Sequence, residues 1–330
     1  MSFRRKVAIL AALSLVLMAT LLLAVLRSPR RRAAEGAGIP LATAATIDRV
    51  SAITVSGRDT IRLQRDADGR WWLRNAEREL PARQSRVQQF LARLADSSTS
   101  RRVTTRAELW PEFGLDHGSA QRVLLEAADG ELLAEVAYGS RSESGAEAFV
   151  RFGAADEVYA ADAAVLFYLE RESIYWTELR LFGSTLSVES IEQLVVSADI
   201  RDLGGLPHRF SYRLQRGGDA AWQLTDPRGE TAARAGRVRE LLAAVVSLEG
   251  ARVAPTAPPA DAAPSAEVTA ELVDGSRYRF EVYGQAGAEQ FTVVASGPAV
   301  PLDSNREPIF YLINDWTLSR VLRPPQDIVE

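Results

Sequence analysis

The hydrophobic pattern changes period several times along the chain. Residues 7–26, opened by Val7 and closed by Leu26, are 20 uncharged residues with only Ser14 and Thr20 as mild polar interruptions. At about 1.5 Å rise per residue, a helix of this run matches the thickness of a bilayer's hydrocarbon core. Beyond it the period falls to two. Residues 52–55 and 60–65 alternate apolar and polar, Ile61 and Leu63 sharing a face, and Asp68-Gly69 turns the chain into residues 70–74, which predicts an antiparallel meander. After Pro81 the period becomes helical. Val87, Phe90, Leu91 and Leu94 stand at i, i+3, i+4 and i+7, predicting a helix from Pro81 through Ala95 with one apolar stripe. Alternation returns in residues 122–127 and 131–138, a hairpin turned at Asp129-Gly130, and in short strands at 147–152 and 157–160. Residues 162–182, rich in Leu, Tyr and Trp, read as a closing helical segment.

The same pattern then runs a second time. Arg62-Leu63-Gln64-Arg65 recurs as Arg213-Leu214-Gln215-Arg216, Trp71 as Trp222, and Arg86-Val87 as Arg237-Val238, all at an offset of 151. Arg102-Val103 returns as Arg252-Val253, Asp129-Gly130 as Asp274-Gly275 and Tyr138-Gly139 as Tyr283-Gly284, the offset drifting to 145. Phe167-Tyr168-Leu169 matches Phe310-Tyr311-Leu312, and Trp176-Thr177 matches Trp316-Thr317, at 143 and 140. The twin helix carries Val238, Leu241, Leu242 and Val245 at the same steps. These matches predict an α+β architecture: an N-terminal transmembrane helix, then two tandem antiparallel-sheet domains, each with one packed helix and a helical C-terminal segment. The expected divisions are 1–32 (anchor with basic flanks), 33–46 (linker), 47–183 (first repeat) and 184–330 (second repeat). Trp71, Trp176, Trp222 and Trp316, paired between copies, are expected in the cores.

The copies differ in their decorations. Between Val103 and Gln121 the first holds Trp110-Pro111-Glu112-Phe113-Gly114-Leu115-Asp116, an aromatic loop; the second has an Ala/Pro stretch from Pro255 to Pro264. The second copy in turn inserts residues 199–208 ahead of its Arg213 strand. Trp72 has Gln223 as its twin and points away from Trp71. Trp72, Trp110, Phe113 and Asp116 are therefore the candidate interaction surface.

Charge narrows the partners. Residues 1–32 hold 7 of the 39 basic residues and no acid, leaving 32 basic against 43 acidic residues, net −11, for the body. Such a body repels phosphate backbones and anionic headgroups, which argues against nucleic-acid binding and against peripheral membrane docking. Arg4, Arg5 and Lys6 precede the apolar run and Arg27, Arg30, Arg31 and Arg32 follow it, so flanking charge is nearly balanced. The run exceeds the roughly 7 to 15 apolar residues of a cleaved secretory signal, which favours an uncleaved anchor. There is no cysteine, hence no disulfide, thiolate metal site or lipid attachment.

No catalytic or metal constellation stands out. His117 and His208 each lie in a Gly- or Pro-rich loop without a twin, and solvated loop histidines outweigh a shared ligand role. No Gly-x-Ser-x-Gly turn or His-Glu-x-x-His helix occurs, and the only lysine, Lys6, adjoins the apolar run, so no phosphate-binding Gly-x-x-x-x-Gly-Lys loop exists. Asp66-Ala67-Asp68-Gly69 places its glycine too early for a calcium loop and reads as a turn. No catalytic residue, cofactor or metal is expected.

The order of Gly69-Arg70-Trp71-Trp72-Leu73, Arg86-Val87, Arg101-Arg102-Val103, Phe113-Gly114-Leu115-Asp116, the Asp129-Gly130 hairpin ending in Tyr138-Gly139, and Phe149-Val150-Arg151 with Val158-Tyr159 resembles the bacterial domain of unknown function 4340 family. The resemblance covers residues 47–182 well and the second copy more loosely. It implies one N-terminal membrane helix in the bacterial cytoplasmic membrane, an extracytoplasmic body, and an auxiliary role beside the permease and ATPase of an ABC transporter similar to the gliding-motility or polysaccharide-export type. It carries no catalytic residue over. The expected function is thus a non-enzymatic accessory or scaffold protein of an ABC-type transport complex. The alternatives are a cell-envelope glycan- or peptide-binding module and, behind it, an envelope hydrolase.

Overall fold

The computed structural model describes residues 38–57, 59–74, 78–183, 186–201, 207–218, 221–284 and 290–329. The apolar run at residues 7–26 lies outside them. Among the described residues no helix is long and apolar enough to cross a membrane.

Nine strands of the first repeat form one sheet. They are β1 (Ala52–Ser56), β2 (Thr60–Arg65), β3 (Trp71–Arg74), β4 (Glu79–Pro81), β5 (Thr99–Thr104), β6 (Gln121–Glu126), β7 (Leu132–Arg141), β8 (Glu147–Phe152) and β9 (Val158–Asp162). The second repeat supplies β10 (Ile191–Arg201), β11 (Pro207–Arg216), β12 (Trp222–Asp226), β13 (Gly229–Ala233), β14 (Arg252–Val253), β15 (Ala266–Leu272), β16 (Arg277–Tyr283), β17 (Gln290–Ser296) and β18 (Phe310–Asn314). The orders are β4-β3-β2-β1-β6-β7-β8-β9-β5 and β13-β12-β11-β10-β15-β16-β17-β18-β14. Raising every index of the first by nine gives the second, so two antiparallel sheet domains stand in tandem.

Each repeat inserts its long helix between its fourth and fifth strands: α1 (Gln84–Asp96) and α2 (Ala235–Val246). Both bury the four stripe residues read from the sequence. Val87, Phe90, Leu91 and Leu94 are at most 7% exposed, and Val238, Leu241, Leu242 and Val245 at most 1%. Pro81 does not open α1. It ends β4, paired with Trp72, while its carbonyl accepts from the Glu178 amide at 2.8 Å. With only an acceptor to offer, proline suits this short strand.

The ladders also correct the register of the repeat. Val150 faces Tyr159 and Val293 faces Tyr311, so Tyr159 corresponds to Tyr311 at an offset of 152, and Phe310-Tyr311-Leu312 is strand whereas Phe167-Tyr168-Leu169 is helix, within Leu166–Leu169. The equivalence of Trp176 with Trp316 falls with it. Trp71, Trp176 and Trp222 are buried, but Trp316 is 71% exposed on the helix Asp315–Ser319. The expected closing helix of the first repeat is two single turns, Leu166–Leu169 and Ser173–Trp176, followed by extended chain. The second copy's insertion lengthens the β10–β11 hairpin.

The fold divides into two compact units: the described residues up to Thr60 with Gln88–Glu170, and Ile61–Val87 with Arg171–Glu330. The second unit thus includes β2 to β4. Its core joins Leu80, Leu179, Leu181 and Phe182 to the α2 stripe and to Phe280, Val293 and Tyr311. Residues 176–182 act as a strap within it. The Arg83 amide donates to the Trp176 carbonyl at 2.7 Å, Leu181 to Leu248 at 3.0 Å and Gly250 to Leu179 at 2.8 Å. Arg83 meets Glu249 at 2.8 Å beside the strap, and Arg180 chelates Glu178 at 2.8 and 3.0 Å.

Candidate functional site

Of the four candidate residues, the fold brings three together. Trp110 and Phe113 lie on a 3-10 turn, Ala107–Phe113, which Gly114 ends with φ 67°, a left-handed conformation favouring glycine. The loop then dips to bury Leu115, at 1% exposure, against Ala137 of β7 and Val158 of β9, with Val103, Trp110, Phe113 and Phe149 packed around them. The rings of Phe113 and Phe149 lie 4.7 Å apart. This small cluster covers part of the sheet face turned away from the buried residues Val136 and Tyr138, with which Ala137 alternates.

Gly139 permits that approach. An added Cβ would fall 2.0 Å from the Phe113 carbonyl oxygen and 3.0 Å from Leu115 Cγ. The Phe-Gly-Leu-Asp and Tyr-Gly motifs, 25 positions apart between Gly114 and Gly139, are thus two halves of one contact.

Several polar groups on the loop are engaged. The Asp116 carboxylate accepts from the Ser119 hydroxyl at 3.2 Å, the Ser119 amide at 2.8 Å and the Gly118 amide at 2.9 Å; led by the Ser119 hydroxyl, these donors hold its pKa below the usual carboxylate value. Trp110 Nε1 donates to the Asp156 carbonyl at 3.1 Å. Its ring lies over the Arg151 guanidinium at 4.1 Å, and Arg151 is 5% exposed, donating through Nη1 to the Gly153 carbonyl. Arg122 Nη2 lies 2.7 Å from His117 Nδ1. Because a guanidinium only donates, that nitrogen is the acceptor and the imidazole proton resides on Nε2.

Trp72 belongs to the other unit. It is half-buried on β3 and donates from Nε1 to Asp66 Oδ2 at 2.8 Å, while Asp66 Oδ1 accepts from the Arg70 amide at 2.8 Å. Burial opposes ionisation of Asp66, but these donors outweigh it and its pKa lies below the ordinary value. Asp66 is the lock of a turn. His208 lies on β11, opposite Ile200. Among the described residues no three His, Asp or Glu side chains are grouped to hold a metal ion.

Arg151 and Gly139 are the residues that pattern reading passed over. The signal for Arg151 was present as asymmetry: Val294 occupies the second copy's counterpart on the ladders, Val150 and Val293 facing equivalent tyrosines, and that copy also lacks the Trp110 loop. Cation and ring are kept or lost together.

The chain matches the model of the family described as Domain of unknown function (DUF4340) over residues 71–267, more than half its length. It belongs to that family. The DUF4340 match begins at Trp71 in β3 and ends at Glu267 in β15, so it takes in the aromatic loop, the strap and α2. No curated protein matches the chain. A chain of the Pseudomonas aeruginosa MucA/MucB complex is similar over 85% of this chain and 95% of its own, at 14% identity and a TM-score of 0.09, too slight a likeness to carry an argument.

Proposed function

We propose that this DUF4340 protein is a non-enzymatic, single-pass membrane-anchored accessory or scaffold protein of an ABC-type transport complex, its body standing outside the cytoplasm. The observation that carries the reading is the state of the distinctive loop. The Asp116 carboxylate, the Trp110 indole N–H and His117 Nδ1 are each bonded within their own neighbourhood, which supports a loop that offers a fixed shape to a partner. The 20-residue apolar run supplies the anchor, and the resemblance to auxiliary proteins of such transporters supplies the partner.

The test is to extract the full-length protein from its native membrane in mild detergent and identify its companions by mass spectrometry. A permease and an ATPase subunit are expected. A protein that emerges alone would sink the proposal.

A further inference from the structure

The two repeats dress the same sheet face differently. In the second, the strand face turned away from the core is self-neutralised: Arg279 bridges Glu267 at 2.7 Å and Glu281 at 2.5 Å, Arg277 reaches Glu271 at 3.3 Å, and the Tyr283 hydroxyl donates to Glu281 at 2.9 Å. The ladders locate the counterparts in the first repeat. Val268 faces Phe280 as Val123 faces Val136, which sets Arg122 at the position of Glu267, Leu124 at Thr269 and Glu135 at Arg279.

The signs are exchanged, yet the pair is open. Arg122 is turned to His117, and among the described residues neither Arg122 nor Glu135 has an ion-pair partner. Leu124 stands two positions along β6 from Arg122 and directly opposite Glu135, and Leu132 nearby is 52% exposed. These side chains, with Glu126, which has an interaction of its own, line a depression of about 550 Å³, walled by Gly118 of the turn that Asp116 holds and by Ser56 and Gly57. Half-buried charges without counter-ions forgo part of their hydration and recover nothing for it, so opposite charges brought by a partner fit here.

We propose that this depression is a docking site for an extended peptide segment of a partner protein, with an acidic side chain on Arg122, a basic one on Glu135 and an aliphatic one over Leu124 and Leu132. The spacing sets the pattern. Diagonal neighbours on adjacent strands stand about 7–8 Å apart, close to the roughly 6.8 Å between side chains two positions apart in an extended peptide. The segment therefore reads acid-x-base-x-aliphatic, and the volume accommodates it. His117 is a positioning residue: by holding the guanidinium it keeps Arg122 from closing on Glu135 as Arg279 closes on Glu267.

The test presents full-length protein in mild detergent to immobilised ten-residue peptides carrying Asp-x-Lys-x-Leu in an Ala/Ser background, beside peptides of identical composition in scrambled order. Retention of the patterned peptides at least tenfold above the scrambled set is expected. Arg122→Glu or Glu135→Arg should each remove that preference with the melting temperature little changed, since neither group is ion-paired among the described residues. His117→Ala should weaken it by releasing Arg122 toward Glu135. Retention that ignores residue order, or that survives both charge reversals, overturns the proposal. The depression follows from the comparison of the repeats and not from the transport reading, so a protein that purifies alone would sink that reading and leave this one standing.

Discussion

Gly139 and Phe113 touch where one carbon atom more would not fit. With its Cβ 2.0 Å from a backbone oxygen, Gly139→Ala must lift the 3-10 turn from β7, and overpacking of this kind costs about 1–3 kcal/mol. A lower denaturant midpoint is expected; an unchanged one would mean that the turn is not seated there. The two candidate tryptophans should behave differently from each other. Trp72→Ala loses one hydrogen bond and half-buried ring area, about 1–2 kcal/mol. Trp110→Ala also uncovers a buried guanidinium and opens the small cluster around Leu115, so about 2–4 kcal/mol is expected. Equal midpoints for the two variants would show that Arg151 does not need its aromatic cover.

At the scale of elements, the turn at Asp303 couples stability to pH. Asp303 is 2% exposed, and Arg78 Nε donates to its Oδ2 at 2.9 Å while the Asn305 and Glu307 amides donate to Oδ1 at 2.9 and 2.8 Å. Burial opposes ionisation, the Glu307 amide and Arg78 outweigh it, and the pKa lies below the usual carboxylate value. A depressed folded pKa means that this stabilisation is complete above about pH 4, the unfolded value, and is lost as pH falls through the folded one. Asp303→Asn should therefore cost about 2 kcal/mol at neutral pH and remove this component from an acid unfolding curve. Coincident acid limbs for the two proteins would show that Asp303 carries none of it. Asp303 was not legible in the sequence, because its partners are Arg78, 225 positions away and just ahead of β4, and the amides of its own turn. The α1 and α2 stripes were legible because four apolar residues at helical spacing have one place to go. The Trp316 expectation failed for a different reason: short motifs align by letters, whereas Tyr159 and Tyr311 are equivalent by their ladder partners, and a longer β17–β18 connection shifts the register. Likewise the aromatic loop was visible as a difference between copies, while the glycine that seats it lay in a motif common to both.

For the whole molecule, the proposed anchor would set the two sheet domains on one side of a membrane, and charge near the apolar run decides little about which. Three basic residues precede it and four follow within six positions of its end, a difference that by itself leans the body inward under the positive-inside rule. Long domains, however, translocate largely irrespective of such charges, and a body of net −11 gains nothing from an anionic cytoplasmic leaflet. An extracytoplasmic body is therefore the expected outcome. Alkaline phosphatase fused after Glu330 should be active in intact cells, and a fluorescent protein that matures only in the cytoplasm should stay dark at the same position. The reverse pattern would place the sheets inside and remove the premise of the transport proposal. A companion fractionation separates orientation from anchoring: full-length protein should sediment with membranes and resist high salt, whereas residues 38–330 should stay in the supernatant. If both remain in the supernatant the apolar run is not an anchor, and the fusion result must then be read as export rather than insertion.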